Sequence, residues 1–197
     1  MIFLENAIIL SVGYFFGCFQ SSYIFVKAFK KKDIRSVGSG NAGTMNTFLS
    51  FGENLGAVVL FCDMLKTIIP SILCVLLFNN VDSQTTIAVC SLGVFLGHCF
   101  PFWLKFKGGK GVAVAVAFAL TLDLRVFAVS IVISGIFGLL TKSATYGSYT
   151  FAIMLFVSSV TFGHERSIIV SAFLQSTLIV LLHLLKKRPA PVETVKN

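Results

Sequence analysis

Residues 55–78 read LGAVVLFCDMLKTIIPSILCVLLF, an apolar run that is interrupted only by Asp63 and Lys66. A helix needs roughly 20 apolar residues to cross the hydrocarbon core of a bilayer. This run is therefore predicted to be a membrane-spanning helix. The two charged residues lie three positions apart, so they share one face of that helix.

Six further apolar segments follow the same pattern, at residues 6–26, 85–104, 112–122, 126–141, 144–163 and 167–185. Only 12% of the residues are charged and 56% are hydrophobic, whereas soluble domains average about 25% charged residues. This composition excludes soluble enzymes, nucleic-acid-binding proteins and secreted modules. We expect a single all-α integral membrane domain over residues 1–197, with about seven transmembrane segments and a loose tail at 188–197. The short segment 112–122 is expected to be re-entrant or shielded by its neighbours.

The basic residues predict the orientation of the chain in the membrane. Thirteen Lys and Arg residues fall in one set of connections, and only Arg125 and Arg166 fall in the other. Cytoplasmic connections carry an excess of Lys and Arg. The N-terminus is therefore predicted to lie outside and the C-terminus in the cytoplasm. All connections rich in Gly and polar residues then face the cytoplasm, where we expect the functional site.

One such connection, residues 105–111, reads KFKGGKG and directly precedes an apolar run. Glycines allow successive N–H groups to turn inward as an anion nest, and a following helix would add its positive N-terminus. These features predict a phosphate site formed by Lys107, Gly108, Gly109, Lys110 and Gly111. The alternative is a flexible basic loop held by anionic lipid headgroups.

A second glycine-rich connection, residues 38–46, reads GSGNAGTMN. Gly38 and Gly40 allow a ligand to approach the backbone closely, and Ser39, Asn41 and Asn46 offer hydrogen bonds. The alternative is an ordinary turn between helices. Two such loops on one face, together with basic residues, favour a doubly phosphorylated ligand or a pair of substrates.

The titratable residues within the spans have structural as well as functional interpretations. Ionisable groups inside a membrane are functional candidates, but Asp63 and Lys66 are better explained as a mutually satisfied pair that docks their helix. His98 is expected to be packed and hydrogen-bonded. His183, at the inner end of the last span, is equally consistent with an acid–base group and with a helix-end cap.

The sequence predicts neither a metal site nor a cofactor. The three His residues are scattered, and no HExxH pattern occurs. The five Cys residues all lie in apolar runs, where they are expected to pack as small hydrophobic side chains. The Gly-x-Ser-x-Gly elbow of lipases is also absent.

Four stretches together resemble the bacterial acyl-phosphate:glycerol-3-phosphate acyltransferase family, PlsY. Residues 38–46 resemble its first motif, usually GSGNPGATN, and residues 97–113, GHCFPFWLKFKGGKGVA, resemble its second motif nearly residue for residue. Residues 63–70 are similar to the family pattern DxxKGxxP, and residues 145–148, TYGS, are similar to SLGS. The resemblance covers almost the whole chain.

The resemblance implies a multi-pass protein of the bacterial cytoplasmic membrane, which transfers an acyl group from acyl phosphate to the 1-hydroxyl of glycerol 3-phosphate. The products are lysophosphatidic acid and phosphate, and the enzyme that makes acyl phosphate is an expected partner. The resemblance implies that Ser39, Lys110 and His183 act in catalysis. It also implies a hydroxyl near the phosphate at Thr145, with Ser148 in the same motif.

The chain departs from the family pattern mainly where the acceptor is expected to bind. The family usually has Arg at the position of Leu49, a basic residue at Glu53 and Asn at Lys186; smaller departures are Ala42, Thr44, Met45 and Val114. Arg35 or Lys186 would compensate only in part for the basic residues missing at Leu49 and Glu53, because Lys lacks the planar fork of Arg. A divergent paralogue with another acceptor, or without catalysis, is therefore the main alternative. A small anion transporter is a weaker one, since no internal repeat is apparent.

Overall fold

A computed structural model describes residues 2–185. Within this range the chain is all-helical, as predicted, with two short 3₁₀ turns and nine α-helices. The helices are α1 (Ile2–Gly17), α2 (Ser21–Lys30), α3 (Thr44–Phe51), α4 (Glu53–Leu77), α5 (Ser83–Cys99), α6 (Val112–Leu122), α7 (Leu124–Leu140), α8 (Ala144–Thr161) and α9 (Arg166–Leu185). The predicted loose tail and Lys186 lie outside the described residues.

Four stretches among the described residues are long and apolar enough to cross a membrane. They are Ile2–Lys30, which contains α1 and α2, Glu53–Leu77, Ser83–Leu104 and Arg166–Leu185. The apolar helices α6 and α7 are shorter. Several crossings are thus supported, whereas the count of seven and the orientation remain predictions.

The first apolar run is broken, contrary to the prediction of a continuous segment over 6–26. α1 ends at Gly17 and α2 begins at Ser21. Gln20 is buried at the break, and its side-chain N–H groups donate to the carbonyls of Gly17 and His98. The Gln20 side chain therefore bonds carbonyls at the end of α1 and at the end of α5, which have no helical partners there.

α1 and α5 pack closely and run in the same direction. Gly93 lies against the backbone near Leu10, and Gly97 lies against the backbone near Tyr14, one turn further along both helices. A Cβ atom at either glycine would overlap a carbonyl oxygen of α1. Small residues at membrane helix interfaces permit this approach of two backbones.

The 11-residue helix α6 spans Val112–Leu122, the range predicted from sequence. It is shielded by its neighbours, because Ala115 and Phe118 are fully buried and α6 contacts α4, α5, α7 and α8. α6 begins directly after the second glycine loop. Because neighbouring helices enclose α6 within the bundle, a helix of only 11 residues is accommodated there.

The functional motifs gather at one end of this bundle. Ser171 of α9 donates to the Ala88 carbonyl of α5, and Gln175 contacts Ser91 one turn later, so α5 and α9 are parallel. Ser176 donates to the Ala152 carbonyl of α8 and His183 contacts Tyr149 further along, so α8 runs in the opposite direction. The end of α5, the end of α9 and the start of α8 consequently share one side of the molecule, which we call the loop end.

Candidate active site

Asn46 organises the first glycine loop. Its side-chain N–H groups lie within hydrogen-bond distance of the carbonyls of Ile34, Val37 and Asn41, at 3.2, 2.9 and 3.0 Å. Its oxygen accepts from the backbone N–H of Ser39 at 2.9 Å. One buried amide on α3 therefore fixes the course of the loop.

This arrangement corrects the prediction that Asn46 binds substrate directly. Asn46 is 4% exposed, and both its nitrogen and its oxygen are occupied by the chain itself. Ser39, by contrast, is exposed at the tip of the loop. Gly38 has φ +58°, and a Cβ atom there would overlap the Asn46 oxygen, so only glycine fits beside this amide. The loop thus presents Ser39 from a fixed backbone.

The second glycine loop is held by its own backbone. The N–H of Gly108 donates to the Cys99 carbonyl at 3.1 Å, and the N–H of Gly109 donates to the His98 carbonyl at 3.0 Å. The predicted anion nest is therefore wrong for these two residues, because their N–H groups are used to pin the loop to the end of α5. Their contribution is close packing, since both are buried.

Lys110 and the start of α6 provide the positive charge that the nest was expected to supply. Lys110 is half-buried, and Gly111 caps α6 without a side chain. The first N–H groups of a helix have no intrahelical partners and carry partial positive charge. Lys107 is exposed on the outer side of the same loop. An ammonium and a helix N-terminus together suit a phosphate.

The two glycine loops are neighbours, as the sequence predicted. A Cβ atom on Gly109 would lie 2.9 Å from the Ala42 carbonyl oxygen of the first loop. Arg35 also donates to the Leu104 carbonyl at 3.4 Å. The two motifs, which lie far apart in the sequence, therefore form one continuous surface.

An ion pair with Asp33 holds Arg35 at this surface. The Arg35 guanidinium lies 2.7 Å from the Asp33 carboxylate and stacks over the ring of Tyr23. Its hydrogen bond lowers the pKa of the Asp33 carboxyl below its ordinary value. Arg35 is thus paired within the loop, which argues against its replacing the missing Arg at Leu49. Leu49 itself is 77% exposed on α3.

A buried ion network lies beneath the loops. The Lys66 ammonium is 2.8 Å from each of three acceptors, namely the Asp63 carboxylate, the Phe19 carbonyl and the Nδ1 atom of His98. The Ser21 hydroxyl donates to the same carboxylate at 2.7 Å. The predicted pairing of Asp63 with Lys66 and the predicted packing of His98 are confirmed.

The third set of predicted residues lies on α8 and α9, also at the loop end. The Nδ1 atom of His183 lies 2.8 Å from the Ile179 carbonyl, and its ring contacts Tyr149 at 5.5 Å between ring centres. Thr145 lies one helical turn before Tyr149. The Ser148 hydroxyl donates to the Ala144 carbonyl of its own helix. His183 is therefore oriented by its helix, which both sequence interpretations allow.

Sequence analysis missed the polar residues at the helix break. Gln20 and Ser21 are nearly fully buried and bond across to α4 and α5. Their signal is the run Gln-Ser-Ser at residues 20–22, which stands within an otherwise apolar segment. Such a cluster indicates a break whose backbone groups need partners.

Comparison with known proteins decides the family. The glycerol-3-phosphate acyltransferase family model matches residues 7–189. The chain belongs to the glycerol-3-phosphate acyltransferase family. A Pelagibacter ubique glycerol-3-phosphate acyltransferase is 34% identical over 84% of both chains, and one from Lactobacillus johnsonii is 31% identical over 93% of this chain and 87% of that one.

Solved structures of the family share this fold. The crystal structure of PlsY, an integral membrane glycerol 3-phosphate acyltransferase, in its glycerol 3-phosphate form is 28% identical, with a TM-score of 0.83 over 96% of both chains. Its lysophosphatidic acid form gives a TM-score of 0.80 at 26% identity over 96% of both chains. The acyltransferase fold is thus retained throughout.

Proposed function

We propose that this chain transfers an acyl group from acyl phosphate to the 1-hydroxyl of glycerol 3-phosphate, forming lysophosphatidic acid and inorganic phosphate. The observation that carries the proposal is the contact between the two glycine loops, which brings the Ser39 loop against the Lys110 loop. Membership in the glycerol-3-phosphate acyltransferase family supports the same reaction.

The proposed reaction needs no protein nucleophile, because acyl phosphate is a mixed anhydride. The acceptor hydroxyl oxygen attacks the acyl carbonyl carbon, a new ester bond forms, and the acyl–oxygen bond to phosphate breaks. The hydroxyl proton leaves with the departing phosphate group. Catalysis then consists of positioning two anions and stabilising the leaving group. Lys110 and the start of α6 suit the phosphate, while Ser39 suits a substrate oxygen.

Other predicted residues are assigned supporting roles. We assign Gly38, Gly40 and Asn41 to the wall of the substrate pocket, and Asn46 to positioning that wall. Gly108, Gly109 and Gly111 shape the opposite wall, with Lys107 at its rim. Thr145, Ser148 and His183 complete the loop end, where His183 is oriented for contact with a substrate hydroxyl or phosphate.

An apolar groove between α1 and α4 suits the acyl chain. Its volume is about 530 Å³ and it is lined by Phe15, Phe16, Phe19, Cys62, Leu65, Lys66 and Ile69. Lys66 lines the groove and also contacts His98, which lies against Gly109. The chain would thus extend along the bundle from a carbonyl held near the glycine loops.

The proposed topology places the loop end in the cytoplasm, with the N-terminus outside and seven crossings of one domain. Thirteen basic residues against two support this orientation. In this arrangement, glycerol 3-phosphate and the product of an acyl-phosphate-making enzyme approach from the cytoplasmic side of the bacterial membrane.

The identity of the acyl donor is the sharpest test of this proposal. Purified protein in liposomes is given labelled glycerol 3-phosphate with either acyl phosphate or the matching acyl-coenzyme A. We expect lysophosphatidic acid with acyl phosphate only. Product formed equally well from the thioester would overturn the proposed donor.

A second candidate function is acylation of a different acceptor. It is favoured by Leu49, whose exposed side chain stands where the family usually has Arg, and by the exposed Glu53. If glycerol 3-phosphate is the acceptor, Leu49→Arg should lower its KM, because a planar cation is added near the site. If instead wild-type protein releases phosphate only with another acceptor, the second candidate is correct.

A further inference from the structure

The side chain of His98 stands between the buried ion pair and the Lys110 loop. On one side its Nδ1 atom is 2.8 Å from the Lys66 ammonium. On the other side its Nε2 atom abuts Gly109, where a Cβ atom would overlap it. The ring is 4% exposed, so protein surrounds it on both sides.

The geometry around Lys66 fixes the protonation of this ring. An ammonium has three N–H donors and no acceptor. The acceptors at 2.8 Å are likewise three, the Asp63 carboxylate, the Phe19 carbonyl and His98 Nδ1. Because Lys66 donates to Nδ1, that nitrogen carries no proton. His98 is therefore a neutral imidazole with its proton on Nε2, the atom that faces Gly109.

The helix break explains why a charged pair lies at this depth. The carbonyl of Phe19, beyond the end of α1, accepts from Lys66, while Ser21, the first residue of α2, donates to Asp63. The carbonyl that follows α1 thus faces the cation, and the hydroxyl at the start of α2 faces the carboxylate. The pair is held from two directions, which makes Lys66 a fixed support for His98.

We infer that His98 is a positioning residue, locked by the Asp63–Lys66 pair as its Nε2–H tautomer, which holds Gly109 and thereby sets the place of Lys110. This inference rests on the proposed function for its catalytic consequence, whereas the tautomer is independent of activity. Gly109 also donates its N–H to the His98 carbonyl, so backbone and ring hold the same residue. Displacing a phosphate-binding group by about 1 Å costs on the order of 100-fold in rate.

Nitrogen NMR of histidine-labelled protein tests the tautomer directly. The chain has three His residues, so variants at His164 and His183 leave the His98 signals assigned. Near neutral pH we expect an unprotonated Nδ1 and a protonated Nε2. In Lys66→Met the donor to Nδ1 is lost and the Asp63 carboxylate lies 3.7 Å from that nitrogen, so a protonated Nδ1 should appear. A protonated Nδ1 in the wild-type protein would overturn the inference, whether or not the protein is an acyltransferase.

A double-mutant cycle between His98 and Gly109 tests the positioning role. Gly109→Ala should lower kcat/KM on the order of 100-fold, because the methyl group displaces the loop from the ring. In the His98→Ala background, where the ring is gone and only the Ala42 carbonyl oxygen at 2.9 Å still crowds the methyl group, the same substitution should cost at least about tenfold less. The matched control is Gly135→Ala on α7, where a Cβ atom meets nothing within 4 Å.

Two outcomes of the cycle contradict the inference. If the effects of Gly109→Ala and His98→Ala multiply without coupling, the ring does not set the position of the loop. If Gly109→Ala is as active as Gly135→Ala, the loop tolerates displacement. Inactive wild-type protein would contradict the proposed function instead, while the NMR result would still decide the tautomer.

Discussion

Two Asp–cation–His groups lie on opposite sides of this bundle. Asp63, Lys66 and His98 form one near the loop end, and Asp123, Arg125 and His164 form the other between α6 and the start of α9. The ion-pair distances are nearly equal, at 2.8 and 2.7 Å. Their surroundings differ, because Lys66 is 4% exposed and Arg125 is 66% exposed.

The difference shows that the burial of an ion pair, rather than the distance between its charges, determines how much its loss affects stability. In the buried group of Asp63, Lys66 and His98, which we call the deep group, every N–H of Lys66 has an acceptor and no water can replace a lost partner. In the group around Arg125 water competes for the guanidinium, so this exposed pair contributes little to stability. The deep group connects a helix break to a loop. The exposed group of Asp123, Arg125 and His164, which we call the shallow group, caps a helix.

The largest effect is expected from Lys66→Met. It leaves the Asp63 carboxylate buried without its cation, which destabilises proteins by about 3–5 kcal/mol. The double substitution Asp63→Leu with Lys66→Met removes both charges and should recover part of this loss. The midpoint of thermal unfolding in detergent measures both. A double variant that is less stable than Lys66→Met would contradict the account.

Exchange of the two cations should sharpen the contrast. Lys66→Arg places a larger planar group among three acceptors arranged for an ammonium, and overpacking of this kind costs about 1–3 kcal/mol. Arg125→Lys, in the exposed group, should be nearly neutral. Equal shifts of the unfolding midpoint in the two variants would show that burial does not separate the groups.

A smaller effect is expected from Asp123→Asn, which removes the charge and keeps an oxygen for the cap of α7. The lost attraction should be small, because water and salt screen the exposed Arg125. The same midpoint measurement applies, with Asp63→Asn as the deep counterpart. If Asp123→Asn lowers the unfolding midpoint as much as Asp63→Asn does, the comparison is contradicted.

The smallest effect is the acid dependence of the shallow pair. The hydrogen bond from Arg125 lowers the pKa of the Asp123 carboxyl to about 2, from an ordinary value of 3.8. Since the folded pKa is the lower one, the pair stabilises the fold above about pH 4 and loses this contribution as the pH falls towards 2. The difference in unfolding midpoint between wild type and Asp123→Asn should therefore shrink over this range. If the difference in unfolding midpoint instead grows as the pH falls, the direction assigned to the pKa effect is wrong.

The sequence predicted the helices better than the contacts of their polar residues. Apolar runs define the membrane helices, so α6 was predicted over its observed range, and the motif loops were correctly placed side by side. The break at residues 18–20 was missed because residues 6–26 carry no charge, although the polar run Gln20-Ser21-Ser22 interrupts the apolar pattern. The partners at the break are distant in sequence, since Gln20 bonds to His98 and Lys66 bonds to the Phe19 carbonyl, and local hydropathy does not reveal these contacts.

The polar loop residues show the same limit. A glycine-rich loop predicts that backbone groups are accessible, but it does not reveal whether their N–H groups are already paired. Gly108 and Gly109 donate to carbonyls of α5, and Asn46 binds its own loop. Only tertiary structure distinguishes a residue that binds a ligand from one that holds the residues that do.

One measurement tests the central claim, that the joined glycine loops form an acyl-transfer site around Lys110. Lysophosphatidic acid and phosphate are quantified from acyl phosphate and glycerol 3-phosphate, with wild type, Lys110→Ala and the exposed-lysine control Lys32→Ala in liposomes. The account predicts equal amounts of both products from wild type and Lys32→Ala, and almost none from folded Lys110→Ala. Product formation by Lys110→Ala at the wild-type rate, or none from folded wild-type protein, would contradict it.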